Sequence, residues 1–98
     1  MTIGVNKEGE KLILSPEGRI DAVTATEFSK VVEDNIEGVK ELVFDFEKLD
    51  YISSAGLRVL LTAQKNMSKV GSMKLIHVAE VIMDVFNITG FADILTIE

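Results

Sequence analysis

Two adjacent serines, Ser53 and Ser54, lie where an apolar, strand-like segment gives way to a long amphipathic pattern. The first turn of a helix has backbone N–H groups without intrahelical partners, and the aligned peptide dipoles place partial positive charge there. A phosphoryl group is stabilised at such a point, so a reversible charge on Ser54 would change the surface without breaking the fold. Serine is also among the best N-cap residues, and capping alone would explain the pair.

The other residues that could support catalysis or metal binding do not form a recognisable set. His77 is the only histidine, the chain has no cysteine, and no carboxylate pair stands at ligand spacing from His77. Nothing in the sequence brings His77 to Ser54 for a Ser-His-Asp arrangement, and the glycines do not follow a P-loop pattern. The sequence therefore predicts a structural role for His77, no catalytic residue, no metal site and no bound cofactor, and it disfavours an enzyme.

The elements that would position the serine pair follow from alternating apolar and amphipathic segments. Asp21 is a good N-cap for the first helix, and Pro16 suits an edge strand or a bulge. Gly38, Gly71 and Gly90 stand where helices would end. Strands alternating with helices predict an α/β fold with a mostly parallel sheet and right-handed crossovers. Strands are predicted at residues 3–5, 11–20, 41–46, 74–78 and 94–97, and helices at 22–35, 54–69 and 80–88.

The second and third predicted helices have distinct inner and outer faces. Helical spacing predicts that both bury an apolar face, formed by Leu57, Leu60, Leu61, Met67 and Val70 in the second and by Val81, Ile82, Val85 and Phe86 in the third. On the second helix the outer face is a polar stripe of Arg58, Thr62, Lys65 and Lys69.

The charge is unevenly distributed along the chain. No acidic residue lies between Asp50 and Glu80, whereas Arg58, Lys65, Lys69 and Lys74 all fall in that interval. These residues form either an ordinary solvated face or a basic rim that attracts an acidic partner.

Composition limits the class of protein. The chain has 98 residues, 47% hydrophobic and 27% charged, which predicts one folded domain. The net charge of -6 opposes direct binding to nucleic acid or to an anionic membrane surface. The sequence has no apolar run near the roughly 20 residues needed to span a bilayer, so we expect no membrane insertion. Without cysteine or a signal-peptide pattern, a cytoplasmic location is expected.

The segment from Asp45 to Leu57 resembles the switch site of the anti-sigma factor antagonist family, which is built on the STAS domain. The family's site usually reads Asp-Ser-Ser/Thr-Gly-Leu at the start of the helix after the third strand. Aligned on the Gly-Leu pair, Ser53 takes the aspartate position, Ser54 the phosphoacceptor position and Ala55 the second hydroxyl position. The phosphoacceptor is retained, while the carboxylate and the second hydroxyl are absent.

The resemblance extends over nearly the whole chain. Gly18-Arg19-Ile20-Asp21, followed by an Ala/Thr-rich helix start, looks like the family's first strand-to-helix junction. The resemblance implies a single STAS domain over residues 1–98, with a mixed, mostly parallel sheet and helices packed largely on one side. Family members commonly carry a further helix after the last strand, so a domain close to minimal is expected.

The family's function implies a switch based on binding. Unphosphorylated, the protein would bind an anti-sigma factor that is often also a serine kinase, freeing a sigma factor. Phosphorylated on Ser54, it would release that partner, and a separate serine phosphatase would reset the site. ATP and magnesium would belong to the kinase. The implied partner-binding residues are Asp21, Ser53, Ser54, Gly56, Leu57, Arg58 and Lys65.

Several roles remain open at this level. The resemblance implies that Ser53 caps the helix while Ser54 points outward. Asp21 either caps the first helix or orients the acceptor hydroxyl and contacts the kinase, and Gly56 either admits a close partner or lets its helix pack. An alternative function is a STAS module that serves as a constitutive subunit of a transport or signalling assembly.

Overall fold

The computed structural model describes all 98 residues, which form five strands, three helices and a 3₁₀ turn. In chain order they are β1 (Thr2–Glu8), β2 (Lys11–Ile20), α1 (Thr24–Asn35), β3 (Glu41–Asp45), β4 (Leu49–Ile52), α2 (Ser54–Met67), β5 (Ser72–Ile76), α3 (Glu80–Thr89) and the 3₁₀ turn Phe91–Asp93. None of the helices combines the length and the apolar character that crossing a bilayer requires.

The strands form the mixed, mostly parallel sheet that the sequence predicts. Its order is β1-β2-β3-β5, with β1 antiparallel to β2 and the remaining pairs parallel. β4, which the sequence reading missed, pairs with β2 as well. The predicted last strand is reduced to a single bridge between Leu75 and Ile97.

β2 is long enough to pair with two parallel strands in succession. β3 pairs with residues 11–14, and β4 pairs with residues 18–20 after a register shift. Pro16 falls between these two pairings and faces Ile3 of β1. Of the two expectations, an edge strand was wrong because β2 is interior, while a bulge-like register shift does occur close by, between Gly18 and Arg19. A residue without an N–H is tolerated there because it lies between the part of β2 that pairs with β3 and the part that pairs with β4.

The core lies on one face of the sheet under the helices. Leu12, Leu14 and Pro16 are buried while the intervening residues of β2 are only half-buried, as expected for a sheet packed mainly on one side. Phe44 of β3 has its ring centroid 5.5 Å from Phe28 of α1. Burying such a ring contributes about 1.5–3 kcal/mol to folding. These contacts fix α1 on the sheet.

The inner faces of α2 and α3 differ from the predicted faces at their ends and at Leu61, which is only half-buried and does not pack against the core. Val70 is 50% exposed because α2 ends at Met67, and Val81 is 59% exposed. Gly71 does not adopt the left-handed conformation of a helix cap. A glycine is required there because an added Cβ would collide with the backbone of Lys40. Gly90 does end α3 as predicted, with a φ of 82°.

Candidate functional site

The loops after β2 and β4 lie side by side at one edge of the sheet. The backbone N–H of Ser53 donates to the carbonyl oxygen of Ile20 at 2.8 Å, and Ile20 pairs with Ile52. Because β2 and β4 are parallel, the residues that follow them leave the sheet at the same level. The structure therefore places the Asp21 loop next to the serine pair.

The two serines divide their roles as the sequence reading expects. Ser53 is the N-cap of α2, and its Oγ accepts the N–H of Gly56 at 3.3 Å. Ser54 is the first residue of the helix, and its side chain is exposed. The N–H groups of Ser54 and Ala55 belong to the first turn and have no partner within the helix. An anion on the Ser54 hydroxyl would lie beside these donors.

Gly56 and Leu57 lie beneath this surface. Gly56 is buried, and a Cβ added there would be 2.7 Å from Ile20 Cγ2 and from Ile52 Cγ1. Leu57 is only 5% exposed. Both residues therefore pack the start of α2 against the ends of β2 and β4, and their implied contact with a partner stays a prediction.

Asp21 caps the turn that precedes α1, and the residue at the N-cap position is Val23 because α1 begins two residues later than predicted. Its Oδ1 accepts the N–H groups of Val23 at 2.9 Å and Thr24 at 2.8 Å, and the N–H of Asp21 donates to Thr24 Oγ1 at 2.8 Å. This reciprocal arrangement closes an extra turn before the helix. The bonds from Thr24 and Val23, together with the nearby positive charge of Arg19, hold the pKa of Asp21 below its usual value. Asp21 forms no hydrogen bond with Ser54.

An arginine and a tyrosine, absent from the predicted site, lie at the same end of the sheet. Arg19 and Tyr51 are partners in the register of β2 and β4, and the guanidinium carbon is 4.2 Å from the centroid of the ring. This distance gives a cation–π contact on the surface. Recognising it from sequence required the β2–β4 pairing, which no local pattern indicates.

The polar stripe of α2 is exposed as predicted. Arg58, Thr62 and Lys65 face solvent, and neither basic side chain has an ion-pair partner in the chain. Lys74 does not belong to this stripe, because it lies on β5 and pairs with Glu98 at 3.5 Å. The basic rim is therefore confined to α2 and the residues just after it.

A groove runs between α1 and α2 from the start of α2. Its volume is about 250 Å³, and Ala55, Val59 and Ala63 form much of its α2 wall. Glu33 of α1 and Arg58 of α2 also line it. The groove thus offers an apolar floor with charged margins beside Ser54.

His77 belongs to a different cluster, which sequence reasoning missed. Its Nδ1 lies 2.9 Å from Asp45 Oδ1 and 3.7 Å from Glu47 Oε2. The hydrogen bond with Asp45, then the charges of Asp45 and Glu47, raise the pKa of His77 above its usual value. Sequence spacing gave no indication of this carboxylate pair, because the parallel pairing of β3 and β5 brings the three side chains together.

Comparisons with known proteins identify one family and the same fold. The profile of the STAS domain family matches residues 2–98. The chain is 32% identical over 96 residues to BtrV of Bordetella bronchiseptica, which is named as an anti-sigma factor antagonist, and the match covers 96% of this chain and 83% of BtrV.

Solved structures share this architecture at lower sequence identity. An anti-sigma factor antagonist from Mycobacterium paratuberculosis superposes with a TM-score of 0.88 at 20% identity, over 98% of this chain and 83% of that chain. The unphosphorylated form of SpoIIAA superposes with a TM-score of 0.84 at 17% identity, over 99% of this chain and 88% of that chain. The phosphorylated form of SpoIIAA from Bacillus superposes with a TM-score of 0.77 at 17% identity, over 99% of this chain and 91% of that chain.

Proposed function

This chain belongs to the STAS domain family, and from that premise we propose that it is an anti-sigma factor antagonist gated by phosphorylation of Ser54. Its similarity to BtrV supports the antagonist role. SpoIIAA, which has the same fold, is known in unphosphorylated and phosphorylated forms, and this supports the gating. The observation that carries the proposal is the exposed position of Ser54 at the N-terminus of α2, beside Ser53, whose hydroxyl is occupied in capping the helix.

The partner of the unphosphorylated protein is an anti-sigma factor that also acts as a serine kinase. Binding frees a sigma factor, so the effect on transcription is indirect. The kinase supplies ATP and magnesium, transfers a phosphoryl group to Ser54 and then dissociates. A serine phosphatase restores the binding form. This cycle operates in the cytoplasm, where transcription takes place.

The surface around Ser54 fits such a partner. Ser54, Arg58 and Lys65 lie along the exposed side of α2, and the groove between α1 and α2 begins at Ala55. An acidic partner is attracted by the unpaired basic side chains, while the groove accepts apolar groups. Asp21 lies at the other margin of the site and adds a negative charge that opposes a phosphate on Ser54.

Phosphorylation alters this surface strongly enough to act as a switch. A phosphoserine adds about -1.5 to -2 charges at pH 7. Burying that charge against a contact formerly made by a neutral hydroxyl costs several kcal/mol unless the partner supplies cations. Since about 1.4 kcal/mol changes an equilibrium constant tenfold, one phosphoryl group is sufficient.

Intact mass and partner affinity test the proposal together. Incubation with the cognate kinase and ATP should add one phosphoryl group to the wild type and to Ser68→Ala, which removes an exposed serine at the far end of α2. Ser54→Ala should gain none. The phosphorylated wild type should bind the anti-sigma factor about tenfold or more weakly than the unphosphorylated form. Binding without any phosphoryl gain would instead indicate a constitutive interaction module.

A further inference from the structure

We propose that Asp45, Glu47 and His77 form a binding site for a divalent transition-metal ion. Each residue offers one ligand atom, and these atoms all lie within 4.8 Å of one another. The sequence predicted no metal site, so this assignment departs from that reading. It depends on side chains that do not belong to the surface around Ser54 proposed to bind the anti-sigma factor.

The sheet sets the backbone positions of two of the three ligand residues relative to each other. β3 and β5 are adjacent parallel strands in which Asp45 is level with Ile76, the residue before His77. The N–H of Phe46 donates to the carbonyl oxygen of Ile76 at 3.0 Å and continues the pairing. The positions of Asp45 and His77 are therefore set by backbone hydrogen bonds and not only by their side-chain rotamers.

The third ligand is brought in by the turn after β3. The N–H of Glu47 donates to Asp45 Oδ1 at 3.1 Å, which folds the chain back over the end of the strand. The exposed side chain of Glu47 is free to rotate and reaches within 3.7 Å of His77 Nδ1. The turn therefore supplies an exposed carboxylate beside two ligand residues whose backbone positions the sheet sets.

The observed separations suit coordination to one ion. Bonds of about 2.1 Å from a metal to imidazole nitrogen and carboxylate oxygen place two ligand atoms about 3.4 Å apart at the tetrahedral angle of zinc and about 3.0 Å apart at a right angle. His77 Nδ1 and Asp45 Oδ1 are 2.9 Å apart. Glu47 Oε2, which is 3.7 Å from His77 Nδ1, completes the three-ligand set.

The donor set selects the class of metal. One imidazole and two carboxylates suit zinc, nickel or manganese, whereas magnesium and calcium prefer oxygen ligands alone. An adjoining cleft of about 190 Å³ has only polar lining residues, including Ser15 and Glu17. Water can reach the ion through this cleft and fill the remaining coordination positions.

The proposed metal site is separate from the surface around Ser54. Phe44, just before Asp45, is level with Leu14 of β2, whereas Ile52, just before Ser53, is level with Ile20. Six residues of strand between these levels correspond to roughly 20 Å. Metal binding would tie the turn between β3 and β4 to the end of β5 without occupying the Ser54 site.

Calorimetric titration of tag-free protein with ZnCl₂ tests the assignment, with MgCl₂ as the comparison. His77→Asn removes the imidazole while suiting the left-handed backbone, because His77 has a φ of 55° and asparagine tolerates that region. We expect one zinc ion per chain, no magnesium binding in the same range, and a loss of zinc affinity of about tenfold or more in His77→Asn and in Asp45→Asn. Asp34→Asn makes the same charge change on α1 and should bind zinc like the wild type.

Amide chemical shifts locate the bound ion. Zinc should perturb residues 45–48 and 76–78 first, and the remaining amides should keep their positions in both variants, which checks that the variants are folded. Failure to detect zinc binding, or equal binding by the wild type, His77→Asn and Asp45→Asn, would overturn the proposal. In that case the cluster is only an ion pair between His77 and its two carboxylates.

Discussion

The N–H of Ser53 donates to the carbonyl oxygen of Ile20 at 2.8 Å, and this bond joins the two loops of the candidate site. Asp21 follows Ile20, and Ser54 follows Ser53, so one backbone contact sets the separation of the negative charge from the acceptor hydroxyl. The contact exists because β4 continues the parallel pairing that β3 leaves at the middle of β2. A change that shifts β4 therefore alters the phosphorylation site without touching either residue.

Ser53→Ala tests the assignment of the cap. Loss of the hydroxyl leaves the N–H of Gly56 without its acceptor and should lower the free energy of unfolding by about 1 kcal/mol. Urea denaturation of Ser53→Ala and Ser54→Ala measures the difference, and Ser54→Ala should remain close to wild type. Phosphoryl transfer to Ser53→Ala should persist. The reverse result, with labelling lost in Ser53→Ala and kept in Ser54→Ala, would place the acceptor one residue earlier.

Gly56→Ala tests whether close packing, and not access for a partner, requires the glycine. The added Cβ would lie 2.7 Å from branched atoms of Ile20 and Ile52, which cannot withdraw as the tip of a long side chain would. Overpacking of this kind costs about 1–3 kcal/mol, partly offset by the better helix propensity of alanine. Urea unfolding should therefore show net destabilisation. Thr62→Ala, on the exposed face of the same helix, should stay within about 0.5 kcal/mol of wild type.

If Gly56→Ala is as stable as wild type but loses affinity for the anti-sigma factor, the glycine serves the partner and not the packing of α2. That outcome would also show that the start of the helix moves away from the ends of β2 and β4 at little cost.

The sequence identified the elements whose patterns are local. The run Leu42, Val43 and Phe44 is buried in an interior strand as its continuous apolar character predicts, and Ser53 caps α2. β4 was missed because its four residues acquire their structure from pairing with β2, about thirty residues earlier in the chain. The same reason hid the cluster of Asp45 and His77, which meet only through the register of β3 with β5.

Errors at the ends of helices have a different origin. Val70 was assigned an inner position because it fits the period of α2, but the helix ends at Met67 and the periodic argument ends with it. Val81 lies in the first turn of α3 and is 59% exposed although the adjacent Ile82 is 1% exposed, so no neighbouring element covers the side of the helix on which Val81 lies. Periodicity predicts the direction of a side chain and gives no information about whether a neighbouring element extends far enough to cover it.

Asp21 predicts a specific loss of stability in acid. Its pKa is lower in the folded protein than in the unfolded chain, so the stabilisation is complete above the unfolded value, near 3.8, and is lost as the pH falls through the lower folded value. Asp21→Asn keeps an oxygen that accepts the same N–H groups but cannot titrate. Urea midpoints measured from pH 6 to pH 2.5 should fall less steeply for Asp21→Asn than for wild type. Identical slopes would show that the capping bonds do not favour the charged carboxylate.

Charge reversal on α2 tests the basic rim. Lys65→Glu combined with Lys69→Glu should slow association with the anti-sigma factor and weaken the dependence of that rate on salt, since both side chains are exposed. Stopped-flow association at low and moderate ionic strength measures both effects. The combination Lys7→Glu and Lys11→Glu makes the same change in net charge on β1 and β2 and should leave the rate nearer wild type. Equal effects from the two double variants would assign any slowing to net charge alone.

Phosphorylation of Ser54 should change partner binding far more than it changes stability. At the N-terminus of α2 the helix dipole and the free N–H groups stabilise the phosphate by about 0.3–1 kcal/mol, and repulsion from the Asp21 carboxylate offsets part of this. The partner interface has no comparable compensation, because it must strip water from the phosphate or leave a gap beside the former hydroxyl. Thermal unfolding and partner affinity of the two forms, measured side by side, should give a nearly constant midpoint and an affinity lower by about tenfold or more. A large shift of the midpoint, or amide shifts spread over the whole sheet, would instead mean that phosphate acts by remodelling the domain.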